Sequence, residues 1–541
     1  MYFSKKTDTM ILNIFFFFIF KINIFFYHGN KGGSKLQLVY LPLDERPCNY
    51  AYPVRIADLV PDVQVLTPPI EWMGKKKTPG NIEKLWGFLA EKAPKCNAAV
   101  LSLDLLLYGG IVPSRLHHDT AEEVKNRLYQ LKKIKKQNPQ LKLYAFNLIT
   151  RLPSYNSDDE EPDYYEYYGR DIFLYSCITD KIQRNIATDE EKKEYKELQE
   201  KIPAQHLTDY LDRRKVNEQV NEVAIDLVKE GIIDFLIIPL DDCNPYGFSA
   251  ITQRKLASFV RKYQLWDQVY IHPGADEVGC TLMARAINEW KQQQPKIYIR
   301  YNSTPGSMTV PLLEDRPLCE SIKSQIAGAG GVIVHDEGNA DYILFVNTPI
   351  DPMTGSYEQE DPLNNRYERE RNLREMMVAL EYYINQGKPC AIADVAYING
   401  GDTELIHFLA KKKLYHKLYG YAGWNTCANT LGTIIAHSMM AVAEQSLDTK
   451  KHQAFLLERF IEDWGYQTIW RRNITENVLP SLGLNYFSLG DKQEQIVNLL
   501  QKEFQEIMDT LFQESVKQYD LKIKKLYMPW NRMFEVGLEI Y

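Results

Sequence analysis

"DFLIIPLDDCNPYG", Asp234 to Gly247, is the stretch that decides the fold. Its centre, Phe235 to Leu240, is short and apolar at every position, as in a strand covered on both faces of a parallel sheet. Two aspartates end the run, and an Asn-Pro-Tyr-Gly bend follows. Outward from it the same rhythm recurs. "LQLVYLPL", "VQVLTPP", "AAVLSLDLLLYGG" and "LKLYAFNLI" come before, "QVYIHPG" and "KIYIRYN" after, interleaved with longer stretches of helical spacing. This alternation predicts an α/β protein. The seven units before about residue 305 approach the eight of a (β/α)-barrel, so a barrel-like N-terminal domain is expected over 36–304, with an open doubly wound sheet as the competing topology.

Between 154 and 228 the rhythm pauses. "SYNSDDEEPDYYEYYGRD" is acidic and aromatic, and Thr188 with Glu191 has the spacing of a capping box, which predicts a helical insertion after the fourth strand. Such an insertion either covers the face where the strands end or is a solvated excursion. A second series, "GVIVHD", "ADYILFVNT", "KPCAIADVAY" and "KLYGYAGWN", predicts a smaller parallel α/β domain over 305–444. From 445 to 541 the 3.6-residue periodicity of "EQIVNLLQKEFQEIMDTLF" predicts a helical C-terminal region.

With 541 residues, 45% of them hydrophobic, the chain can bury sizeable cores. A net charge of −7 and only short basic clusters exclude the extended positive surface that nucleic acid requires. Residues 1–30 stand apart: a basic start and the run "ILNIFFFFIFKINIFFY" read as a signal peptide or signal anchor, so an exported protein is expected, touching a membrane only through that anchor. The 8 cysteines are scattered without a C-x-x-C pair and imply neither a zinc knuckle nor a disulfide framework.

The chemistry is expected where strands end, because the carboxyl edges of parallel strands converge on one crevice. The exits carry Asp44, Glu45 and Arg46; Asp104; Asn147 and Arg151; Asp241 and Asp242; His272, Asp276 and Glu277; and Asp394, Asn399 and Asp402. Each has a plainer role as well. Asp44 and Glu45 beside Arg46 suit an ion-paired turn, Asp241, Asp242 and Asp276 suit helix caps, and His272 suits a neutral buried histidine. Trp424, next to Asn425, is either a platform for a sugar face or core filler. An oxygen-rich set of Asp44, Asp241, Asp242 and His272 is also of the type that holds magnesium or calcium. No P-loop, G-x-S-x-G elbow, H-E-x-x-H or dinucleotide fingerprint is present, so neither a cofactor nor a bound metal is expected.

"HPGADEVG", His272 to Gly279, resembles the H-x-G-G-D-E motif of the β-N-acetylhexosaminidases, with Ala275 in place of the second glycine. That resemblance implies Asp276 as the residue orienting the substrate's acetamido group and Glu277 as general acid. A longer set, "LPLDERPCN", "LSLDLLLYGGIVPSR", "PLDDCNPYG", "GADEVG", "ADVAYINGGD" and "YAGWNTCANTLGT", resembles an uncharacterised bacterial family filed as a domain of unknown function, over roughly 36 to 540. It implies a bacterial, often exported protein and assigns no activity. Paired carboxylates can divide labour between proton donor and anion, which is glycosidase chemistry. The expectation is therefore an exported carbohydrate-active hydrolase using Glu277, Asp276, Asp241 and Asp242 on a glycan or other small polar substrate. A non-catalytic glycan or cell-wall binding protein and a metal-assisted hydrolase are the alternatives.

Overall fold

The apolar runs fold into two open parallel sheets. The structure, a computed structural model, describes residues 35–359 and 365–541. The signal-like stretch 1–30 lies outside them, and among the described residues no helix is long and apolar enough to cross a membrane. The first sheet is built from β1 (Leu36–Leu41), β2 (Val63–Leu66), β3 (Ala98–Ser102), β4 (Lys142–Phe146), β5 (Phe235–Leu240) and β6 (Val269–Pro273). Their spatial order is β2-β1-β3-β4-β5-β6, with every pair parallel. The second takes β7 (Lys296–Tyr301), β8 (Val332–Ile333), β9 (Tyr342–Asn347), β10 (Cys390–Asp394) and β11 (Tyr421–Ala422) in the order β8-β7-β9-β10-β11, again all parallel.

The barrel expected over 36–304 is thereby corrected to the doubly wound topology. Closure would pair β2 with β6, and these are the two ends of the first sheet. Lys296–Tyr301, counted from the sequence as a seventh strand of the first domain, instead opens the second sheet, where Tyr298 pairs with Ile343 and Lys296 with Val332. Doubly buried strands serve closed and open sheets equally, so periodicity alone does not separate them.

The period-2 alternation of each strand divides its side chains between two cores. Leu38 and Tyr40 of β1 face the middle of the molecule, while Val39 and Leu41 face an outer helical layer. In β9, Tyr342, Leu344 and Val346 face that same middle core, and Ile343 and Phe345 face the C-terminal helices. The two sheets thus share one apolar layer.

In the insertion, α1 (Tyr165–Gln183), α2 (Asp189–Lys201) and α3 (Ala204–Lys229) form the predicted helical excursion. The Thr188 hydroxyl accepts from the Glu191 amide at 3.2 Å and the Glu191 carboxylate accepts from the Thr188 amide at 3.0 Å, completing the capping box. Beyond β5 comes α4 (Phe248–Tyr263). The middle layer is filled by α5 (Val278–Lys291), α6 (Leu318–Gly328) and α7 (Cys427–Ala443), which contribute Leu282, Ile322, Leu431 and Ile435. The region 445–541 is largely helical, as expected, but closes with an antiparallel pair, β12 (Ile523–Tyr527) and β13 (Gly537–Ile540). All eight cysteines are unpaired.

Helices α5 and α7 approach closely at Gly432, where a methyl group would overlap the Glu277 side chain and come within 2.8 Å of the Thr281 hydroxyl. Gly432→Ala is expected to cost about 1–3 kcal/mol by overpacking, read as a lower denaturation midpoint with an unchanged m-value.

Candidate active site

In doubly wound sheets the ligand crevice lies outside the carboxyl ends of the strands, at the point where strand order reverses. For the first sheet that point is between β1 and β3. A cavity of about 320 Å³ opens there. Its floor is made by residues following the strands: Arg46 after β1, Arg115 after β3, Arg151 after β4, Asp241 and Asp242 after β5, and Gly274 to Asp276 after β6. Asn399, Asn425, Thr426 and Asn429, which follow β10 and β11, close a second side. Tyr486, Phe487, Arg532 and Phe534 bring in the C-terminal region.

The floor is an ordered ion-pair lattice. Arg46 donates to Asp44 at 2.7 Å and to Asp276 at 2.5 Å, and Asn49 donates to both carboxylates at 2.9 Å. Trp530 lies 4.7 Å from the Arg46 guanidinium and donates its ring N–H to Glu45 at 2.5 Å. Glu45 itself does not line the cavity; burial and the neighbouring Asp44 push its carboxyl up to about 7. Arg115 donates to Asp241 and to Glu160 at 2.7 Å each.

Asp242 stands apart from this lattice. Its nearest cation, Arg151, is 3.4 Å away, and its side chain keeps 25% of its surface exposed, against 8% for Asp241 and 7% for Asp276. Burial and the adjacent Asp241 raise its carboxyl to about 7. Its backbone has φ +31°, a left-handed conformation costly for a residue with a Cβ; Asn399 and Asn425, also lining the cavity, have φ +61° and +51°. Such conformations persist where surrounding structure over-determines them, commonly at functional sites.

The acidic stretch before α1 supplies a strap over the cavity, and this strap is the part of the insertion that covers the strand-end face. Glu160 meets Arg115 at 2.7 Å, Arg151 at 3.3 Å and Arg532 at 2.5 Å. Although burial opposes it, these arginines hold the Glu160 carboxyl well below the usual range. Asp159 is tied to Lys76 and, at 3.1 Å, to Arg532. The helices behind the strap pack on their own small core around Tyr165, Tyr175, Tyr210 and Phe248.

Several residues singled out in the sequence lie elsewhere. Glu277 is fully buried and absent from the lining; it accepts from the Ala275 amide at 2.9 Å and Gln325 at 2.7 Å, beneath Gly274, and burial raises its carboxyl to about 7. Glu277, expected as general acid, thus lies outside the cavity and holds the turn before it. Gly274, at φ +146°, is required there because a Cβ would overlap the Glu277 carboxylate. His272 is buried, with Nδ1 2.9 Å from the Pro273 carbonyl, and burial lowers its pKa to about 4. Asp104 accepts from the Leu148 amide at 3.0 Å and is raised by burial to about 7, while Asn147 accepts from Asn221 at 2.7 Å; neither lines the cavity.

Trp424 is core filler, 4% exposed, its ring edge-on to Tyr52; the exposed rings at the cavity are Tyr155 and Phe487. Asp394 and Asp402 sit in a separate buried network at the carboxyl end of the second sheet. Asn347 and Tyr421 donate to Asp394 at 2.8 and 2.9 Å, and Asp402 pairs with Arg371 and caps the helix Thr403–Lys412. Glu314, Asp159, Glu160 and Arg532 are the lining charges the sequence reading passed over. They come from loops and from the far C-terminus, outside any strand-exit pattern. Among the described residues no three His, Cys, Asp or Glu side chains gather as a metal ligand set, so the Asp44, Asp241, Asp242 and His272 grouping does not form one.

The chain has no significant match among curated proteins or solved structures. The motifs that build the cavity, from "LDERP" to "YAGWNT", fall within one family model spanning residues 38–539, and the chain belongs to that family, described as a protein of unknown function (DUF4127).

Proposed function

We propose that the protein hydrolyses glycosidic bonds, with Asp242 as proton donor and Asp276 as the opposing carboxylate. The observation that carries this reading is the unequal treatment of neighbouring acids: Asp241 and Asp276 are locked to arginines at 2.7 and 2.5 Å, while Asp242 faces the cavity with only a 3.4 Å partner and an elevated pKa. Environments that push carboxyl groups apart in this way divide acid from base in glycosidases. In the proposed step the Asp242 proton passes to the leaving oxygen as the bond to the anomeric carbon breaks. Asp276, positioned by Arg46 and Asn49, then either attacks that carbon or takes a proton from the incoming water. The basic, apolar start of the sequence supports export, which would place the protein where glycan chains are met.

Chromogenic glycosides varied in sugar and anomeric configuration test the proposal. Turnover of at least one is expected; tight glycan binding without turnover over days would mark a binding protein instead. The pH profile has a definite sign. A donor raised to about 7 is protonated and competent below that pH, so kcat/KM should fall tenfold per unit above about 7. A profile still rising through pH 8 would remove Asp242 from the donor role.

A further inference from the structure

Resting on that reading, we infer that the cavity takes one terminal sugar unit that is uncharged or carries an ammonium group, and rejects sugars bearing a carboxylate, phosphate or sulfate. The protein therefore acts from chain ends.

At about 320 Å³ the cavity sits at the bottom of the range for small-molecule sites, enough for one substituted ring and not for a chain. The strap bars a through-groove. Asp159 and Glu160 are held by four cations from separate parts of the chain, Lys76, Arg115, Arg151 and Arg532, and a polymer passing across would have to break those pairs.

Charge then selects among single units. Four arginines, Arg46, Arg115, Arg151 and Arg532, line the cavity, and six carboxylates, Asp44, Asp159, Glu160, Glu161, Asp241 and Asp276, meet them within 3.1 Å. Each arginine meets at least one of these within 2.8 Å, so an incoming anion finds more carboxylates than arginines and no guanidinium without a carboxylate partner. Burial raises the carboxyls of Asp242 and Glu314 to about 7, so these two add negative charge only above that pH; Glu314 is engaged by the Ser321 hydroxyl and the Ala428 amide, at 2.8 and 2.7 Å.

Two unmet donors in the cavity wall add a demand for ligand oxygens. Arg115 and Arg532, 3% and 2% exposed, each retain a buried Nε donor with no acceptor among the described residues. Leaving a buried donor unmet is costly, and a hydroxyl or amide oxygen would satisfy it. Tyr155 and Phe487, each about half exposed, offer aromatic faces suited to the C–H face of a sugar and to an ammonium group.

The test uses the full chain and calorimetric titration with hexoses, 2-amino-2-deoxyhexoses and hexuronates in gluco, galacto and manno configurations. At least one neutral or amino sugar should bind, with the matching uronate at least tenfold weaker. Asp242→Asn combined with Glu314→Gln should narrow that gap at pH 8, where both carboxyls are ionised in the parent chain. A uronate binding as tightly as its neutral counterpart overturns the charge inference while leaving the glycosidase proposal standing. Binding by no sugar of any class, together with no turnover, sinks the glycosidase proposal itself. The second arm is an oligosaccharide blocked at both ends: it should resist while its unblocked form releases monosaccharide, and cleavage of the blocked chain would overturn the chain-end assignment.

Discussion

Asp242→Asn is expected to lower kcat/KM by about a hundred- to ten-thousandfold, the usual contribution of a positioned proton donor, while folding and sugar binding persist. The amide is nearly isosteric and the side chain is only weakly paired, with Arg151 at 3.4 Å, so its loss leaves no short buried ion pair broken. The matched control is Glu277→Gln. Both carboxyls are raised to about 7, yet only Asp242 lines the cavity. Glu277→Gln should retain turnover within a few fold and instead lose about 1–3 kcal/mol of stability, because one of the two N–H donors facing its carboxylate loses its acceptor. The reverse pattern in steady-state kinetics and urea denaturation would return the donor role to Glu277.

The largest expected effect on stability is at Arg46. Removing it leaves Asp44 and Asp276, both nearly solvent-free, facing each other across Asn49, with Glu535 nearby. Breaking a buried pair by deleting one partner costs about 3–5 kcal/mol, so Arg46→Ala should fall near the limit of folding, measurable as a large drop in the denaturant midpoint. Adding Asp276→Asn to it should recover part of the loss, because one uncompensated charge is then removed. Additive losses in the double variant would mean that the two side chains do not interact as the geometry indicates.

The sequence carried the strands well because their signal is local. Phe235–Leu240 reads as doubly buried from its own residues, and the six residues are buried throughout. It also placed Arg46, Arg151, Asp241, Asp242, Asp276 and Asn425 at one crevice, since the carboxyl ends of parallel strands must converge. What it missed is non-local. Whether Lys296–Tyr301 ends one sheet or begins another depends on partners in other segments, and the runs look alike either way. Asp276 and Glu277 are adjacent in sequence, but the left-handed turn at Gly274 sends one carboxylate to the cavity and lets the other fold beneath the backbone. Nothing in "GADEVG" shows which goes where. Trp424 and the ring at Phe487 likewise differ only in tertiary burial, 4% against 51%.

The most direct measurement is a crystal structure of the Asp242→Asn variant soaked with the sugar that binds best. One ring is expected in the cavity beneath the 155–160 strap, with position 242 on the leaving-group side and Asp276 on the other, their separation of about 5 or about 6.5–9.5 Å fixing a retaining or inverting course. A sugar bound outside that cavity, or one that touches Glu277 and neither Asp276 nor position 242, would contradict the proposal.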